Sequence, residues 1–196
     1  MKKILFILIA LLTFNHSYSQ EGNYITINFY KVADGKADDY EKLMTEYISK
    51  IQEARIKDGC MNGWVFRRVL PSSKMSNEIT HLTIDIRTKE QHEKNCNWNL
   101  HKSIPELSEY LHGVLLEKHN SNREFVYRTQ LIEVAGYNKL SETPKVAVFN
   151  LIKSKNINAY AKRHSEWQND AFKKYSSQVG WHAMKRNDII GAGANE

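Results

Sequence analysis

The sequence predicts an α+β fold, with one complete β-α-β-β-α-β unit over residues 24–135 and a partial β-α-β unit over residues 146–196. Three observations predict it. Short stretches of alternating apolar residues are separated by longer stretches with helical spacing, turn residues fall between them, and the second part of the chain begins to repeat the first. The chain has 196 residues, 41% hydrophobic and 26% charged, with only 3 Pro and 9 Gly. That composition excludes collagen-like, low-complexity and largely disordered readings.

Residues 1–19 stand apart from the fold. Lys2 and Lys3 precede an unbroken apolar run from Ile4 to Leu12, and Ser17-Tyr18-Ser19 follows as a small-x-small site. This is the pattern of a secretory signal peptide cleaved after about Ser19. The run is too short to span a bilayer as a helix, and no later stretch approaches the roughly 20 apolar residues required. The mature chain is therefore expected in the periplasm or the medium, without a membrane span. It would carry 26 Lys and Arg against 22 Asp and Glu, because only Lys2 and Lys3 leave with the leader. These bases are scattered, so the sequence carries no basic patch of the nucleic-acid-binding kind.

Ile25, Ile27 and Phe29 alternate with Thr26, Asn28 and Tyr30 in a strand that ends at Ala33-Asp34-Gly35. A long helix follows, with Ala37, Tyr40, Leu43, Met44, Tyr47, Ile48, Ile51 and Ala54 on one stripe and Asp58-Gly59 as its stop. Trp64–Leu70 and Ile79–Ile86 read as a hairpin around Pro71-Ser72-Ser73. The polar stretch from Thr88 to Asn99 leads to Ser103, a predicted cap for a helix with Pro105 in its first turn. That helix is expected to place Leu107, Tyr110, Leu111, Val114 and Leu115 on its apolar face. Phe125–Val134 is the fourth strand. This order is the split βαβ arrangement of ferredoxin-like folds, with sheet order 4-1-3-2.

Residues 136–145, with Pro144, read as a linker. Beyond it, Val146–Ile152 reads as a strand, and Ile157, Tyr160, Ala161, His164, Trp167, Ala171, Phe172 and Tyr175 form a second helical stripe. Tyr40 and Tyr47 match Tyr160 and Trp167, and Gly63-Trp64 matches Gly180-Trp181; Asn77-Glu78 recurs as Asn195-Glu196. The partial unit is expected to pair with the first or with another chain. The end at residues 189–196, where its third strand would begin, reads as a truncation.

With these elements and the two Gly-Trp pairs, residues 24–186 resemble the dimeric α/β-barrel superfamily, which includes antibiotic-biosynthesis and haem-degrading monooxygenases. The resemblance implies a barrel whose interior holds a ligand, and tandem units that do within one chain what a homodimer does with two. Its haem-degrading members imply an Asn on the first strand, which Asn28 matches, a Trp at the end of the third strand, and a His near the second helix. The third strand ends Ile84-Asp85-Ile86-Arg87 instead, and the histidines to consider are His101 and His112.

Ser/His/Asp order, a glycine-rich phosphate loop and paired carboxylates are all missing from the sequence, so no catalytic residue is named. His81 shares a strand face with Ile79, Thr83 and Asp85. The resemblance places helices on the opposite, apolar face, so Asn28, Tyr30 and His81 are expected to line the barrel around a small molecule, as in a ligand-binding or cofactor-free oxygenase-like protein, the alternative being a non-catalytic scaffold whose sheet face mediates association. Loss of Asn28 or His81 is expected to alter stability by no more than about 0.5 kcal/mol. Arg67 and Arg68 lie on opposite faces, one of them a candidate anion clamp. His164, on the second stripe, is a core residue or an axial haem ligand. Core packing is the expected role of Trp64, Trp167 and Trp181. No cofactor is expected beyond the haem reading, and the scattered His92, His101, His112 and His119 lack zinc-site spacing. Cys60 and Cys96 are expected to form a disulfide, since export favours oxidation and the two flank neighbouring strands.

Overall fold

The computed structural model describes residues 22–70, 78–94, 96, 98–138, 148–150, 152–174 and 180–187, and the backbone alone at 137, 138, 169 and 171–174. Residues 1–19, read above as a signal peptide, Pro71-Ser72-Ser73, read as a turn, residues 139–145 of the expected linker, Val146, Tyr175 and residues 189–196 lie outside it. The fold is α+β. Five strands, β1 (Tyr24–Val32), β2 (Gly63–Arg68), β3 (His81–Arg87), β4 (Arg123–Asn138) and β5 (Gly180–Arg186), form one sheet in the order β2-β3-β1-β4-β5. Every pairing in it is antiparallel. Among the described residues no helix is long and apolar enough to cross a membrane.

Between β1 and β2 the chain forms one long helix in three parts: α1 (Ala37–Leu43), a π-helical turn (Met44–Ile48) and α2 (Ser49–Lys57). Gly35 and Gly59, with φ of +72° and +76°, sit just outside its two ends, where a side chain would strain the backbone. The wide turn shifts the helical register, since the Ser49 N–H reaches back to the Met44 carbonyl. Tyr40 and Met44 face the sheet and Leu43 is buried beside them, whereas Tyr47, assigned to the same stripe by its spacing, is 40% exposed.

After β3 come α3 (Lys89–Glu93), α4 (Leu100–Ser103) and α5 (Glu109–Ser121). The cap of α5 is Ser108, whose Oγ accepts from the Leu111 N–H at 3.2 Å. Ser103, the predicted cap, instead donates its hydroxyl to the Asp58 carboxylate. The inward stripe of α5 is also rotated from the expected one. Leu115 is buried against Leu43, Ile104 and Leu107, with His112 and His119 half-buried one turn to either side; Tyr110, Leu111 and Val114 are exposed. Stacking of His119 on Tyr40 and the burial of Leu115 outweigh the hydrophobicity of the outer stripe. Cys60 and Cys96 are joined by a disulfide with their Cα atoms 5.5 Å apart.

The C-terminal part departs from the expected β-α-β unit. Val148, Phe149, Asn150 and Ile152 have no regular structure, and the three hydrophobic side chains are exposed. A strand needs a neighbour for its ladder groups, and β5 takes the available edge by pairing with residues 131–138 of β4. The helix α6 (Ile157–Lys174) then packs Ala161 on Trp181 and Ala183 of β5. Gly63-Trp64 and Gly180-Trp181 do open their strands. Trp181 is buried, but Trp167, assigned to the core from its spacing, is 63% exposed.

Candidate functional site

The strand registers put Asn28, Tyr30 and Val32 of β1 on the same face as Asp85, Thr83 and His81 of β3 and Trp64, Phe66 and Arg68 of β2. The long helix covers this face, with Tyr40 and Met44 packed on Val32, Trp64 and Phe66. The other face carries Ile25, Ile27, Leu82, Ile84 and Ile86 in a cluster built of strand residues and their flanks. The expectation is thus inverted, since the polar face lies under the helices and the apolar face opposite them. The reason is a contact between the helix and the sheet. Helix α1 brings its own polar group, Glu41, to satisfy the polar face, so that face does not need water.

His81 shows this directly. It is 1% exposed, stacks on Phe66, and meets Tyr40 edge-on with ring centroids 5.5 Å apart. Its Nε2 lies 2.9 Å from Glu41 Oε1 and its Nδ1 2.9 Å from Thr80 Oγ1. Burial holds the imidazole below its ordinary pKa against the pull of Glu41, with Arg68 pushing the same way as burial. A neutral ring that donates from Nε2 to the carboxylate and accepts at Nδ1 from the threonine fits both contacts. Burial would raise the Glu41 carboxyl, but hydrogen bonds from His81 and Arg68 outweigh it and leave the carboxyl below its ordinary value. Both nitrogens of His81 are thereby engaged within the protein.

Asn28 is likewise buried. Its Nδ2 donates to Thr83 Oγ1 at 3.2 Å and its Oδ1 accepts from Arg128 Nε at 2.7 Å. Asp85 lies beyond it on the same face, its carboxyl raised by burial in spite of Arg87, Arg55 and Arg128. Arg68 is bound to Glu41 and lies 3.8 Å from Asp38 on the exposed rim. Arg67 is on the other face, donating to the Phe66 carbonyl at 2.8 Å. His164 is remote, packed between Tyr160, Trp167 and Trp181 on α6 and β5. Of the six candidates, then, the structure brings together Asn28, Tyr30 and His81, with Arg68 at the edge. The two that were expected to be nearly free of stability cost, Asn28 and His81, are both core groups.

Four further groups complete this end of the sheet. Tyr40 is fully buried and stacks on His119 with ring centroids 5.6 Å apart. Arg123 lays its guanidinium carbon 3.8 Å from the centre of the Tyr30 ring, and Phe125 meets that ring edge-on at 6.0 Å. Burial, and after it the Arg123 charge, pushes His119 down to about 4, so it is neutral at pH 7. Burial also raises the Tyr40 hydroxyl, which keeps its proton. Tyr40 Oη, His119 Nδ1, and Nε and Nη1 of Arg123 are buried and make no hydrogen bond among the described residues.

A β-bulge explains why Arg123 is here. Asn28 faces Arg128 and Phe29 faces Tyr127, but the register then slips, so Tyr30 faces Phe125 and Val32 faces Arg123. Continued without the slip, the ladder would set Val126 and Glu124 against Tyr30 and Val32. One extra residue in β4 thus exchanges an acid for a base beneath the helix. The sequence reading missed this because alternation presumes an unbroken register; the run Phe125-Val126-Tyr127, which does not alternate, is the signal that was available.

Among the described residues, no three His, Cys, Asp or Glu side chains gather as metal ligands would. Comparison with protein-family models, curated proteins and solved structures finds no match.

Proposed function

We propose that this is an exported small-molecule-binding protein whose ligand enters between the helices and the sheet, where Tyr30, Tyr40, His119 and Arg123 converge. The single observation that carries the reading is the set of buried polar atoms there without partners among the described residues, because such groups cost on the order of 1–3 kcal/mol each when left unsatisfied. The ferredoxin-like, α/β-barrel type of unit is part of the same proposal, supported by the order of the first four strands. The Cys60–Cys96 disulfide supports export, being the kind of bond that persists in an oxidising compartment. Haem is not the ligand we propose. Asn28 spends its amide on Thr83 and Arg128, both nitrogens of His81 are engaged, and β3 ends in Arg87 instead of Trp.

A second reading makes the protein a non-catalytic scaffold that associates through the apolar sheet face. The observation favouring it is that the Ile25, Ile27 and Leu82 cluster draws only on strand residues and their flanks. One experiment separates the two. Chemical-shift mapping with a panel of small aromatic fragments should move resonances of Tyr30, Tyr40, His119 and Arg123. Shifts confined to Ile25, Ile27, Leu82 and Ile84, with sedimentation that depends on protein concentration, would reject the ligand reading in favour of the scaffold.

A further inference from the structure

We propose that the cluster at the start of β4 is a receptor for the carboxylate of a small aromatic acid, a proposal that rests on the ligand-binding reading above. The first argument is charge. Arg123 lies under the helix layer with two of its donor nitrogens buried, and among the described residues no carboxylate pairs with it. Two guanidinium nitrogens held out of water without an acceptor are costly, and an anion delivered by a ligand removes that cost. The bulge in β4 points the same way, since the regular register would have placed Glu124 where Arg123 stands.

The second argument concerns which anion fits. The neighbouring Tyr40 hydroxyl and His119 imidazole are both neutral at pH 7, so the cluster holds one positive charge and neutral hydrogen-bonding groups. A monoanionic carboxylate balances that charge and accepts hydrogen bonds from Arg123 and Tyr40. A phosphate dianion would leave an excess negative charge in a desolvated place. The third argument is shape. The rings of Tyr30 and Tyr40 lie against Arg123 and His119, Phe125 meets Tyr30 edge-on, and Phe125 is 51% exposed. His119 and Arg123 are only half-buried, so the cluster opens to solvent beside Phe125. An aromatic ring attached to the carboxylate would lie against these rings at the opening.

The test uses the intact protein and benzoate as the probe, with benzamide and inorganic phosphate as controls. Benzoate is expected to shift the resonances of Tyr30, Tyr40 and His119 and to raise the titration midpoint of His119, because a bound anion cancels the repulsion from Arg123. Benzamide and phosphate should bind at least tenfold more weakly, and Arg123→Gln should weaken benzoate at least tenfold, as loss of a charge-assisted hydrogen bond requires. Tyr40→Phe guards against misfolding of the arginine variant. It should weaken benzoate several-fold without lowering the stability of the free protein, since it removes only an unpartnered hydroxyl. Equal binding of benzoate to wild type and Arg123→Gln would overturn the proposal. Tighter binding of benzamide than benzoate, with shifts still at Tyr40 and His119, would overturn the carboxylate assignment and leave the ligand-binding reading standing. If neither aromatic shifts these resonances, the orphaned atoms are met by water, and both fail.

Discussion

Replacing His119 with Phe should remove a specific acid sensitivity from this protein. In the fold, burial and the Arg123 charge hold the imidazole at about 4, against an ordinary value of 6.5 that the unfolded chain recovers. The unfolded state therefore binds a proton that the folded state refuses wherever the pH lies between those values. The associated stability is fully present above about pH 6.5 and is lost as the pH falls toward 4. That difference corresponds to about 3 kcal/mol in all, of which about 2 kcal/mol is lost by pH 5. Phe preserves a ring to stack on Tyr40 and does not titrate. The assay is urea unfolding of wild type and His119→Phe at half-unit steps from pH 7.5 to 4.5. Comparing the two at each pH cancels the contributions they share, including that of His81, also held low by burial. The stability of the variant relative to wild type should rise by about 2 kcal/mol between pH 7.5 and 5. A difference that stays flat across this range, or a folded-state His119 resonance that titrates near 6.5, would refute the burial and charge argument.

His81→Ala should destabilise the protein by about 2–4 kcal/mol, seen as a lower urea midpoint, because it empties a fully buried site between Tyr40 and Phe66 and deprives Glu41 of a donor. A change within about 0.5 kcal/mol would mean that the ring is not packed as described. Replacing Cys60 and Cys96 together with Ala opens a loop of sequence separation 36 and should cost about 3–4 kcal/mol, with the wild-type protein yielding no reactive thiol when denatured without reductant. Ser108→Ala removes the cap of α5 and should cost about 1 kcal/mol, whereas Ser103→Ala should leave α5 helicity unchanged by circular dichroism.

Much of the framework follows from local rules that act within a few residues. The alternation of Ile25, Ile27 and Phe29, the stripe through Tyr40, Leu43 and Met44, and the Asp58-Gly59 stop locate β1, the long helix and its end, since period and turn chemistry depend on nearest neighbours alone. Other features depend on contacts distant in sequence. The face that the helix covers was settled when Glu41 met His81, a pair 40 residues apart. The inward stripe of α5 was decided by the fit of His119 on Tyr40, and hydrophobicity alone placed Leu107 and Leu115 inside but wrongly added Tyr110, Leu111 and Val114. The partner of β5 was decided by which edge stood open, and that edge belongs to β4. Arg123 entered the site through a single slip in the β1–β4 ladder, a property of two paired strands together. Sequence patterning therefore determined the long helices and the strands of the sheet, but not the short helices α3 and α4 or the lack of a strand at residues 148–150. The tertiary structure alone decided which polar side chains are sealed in without partners, because that depends on what is packed over them.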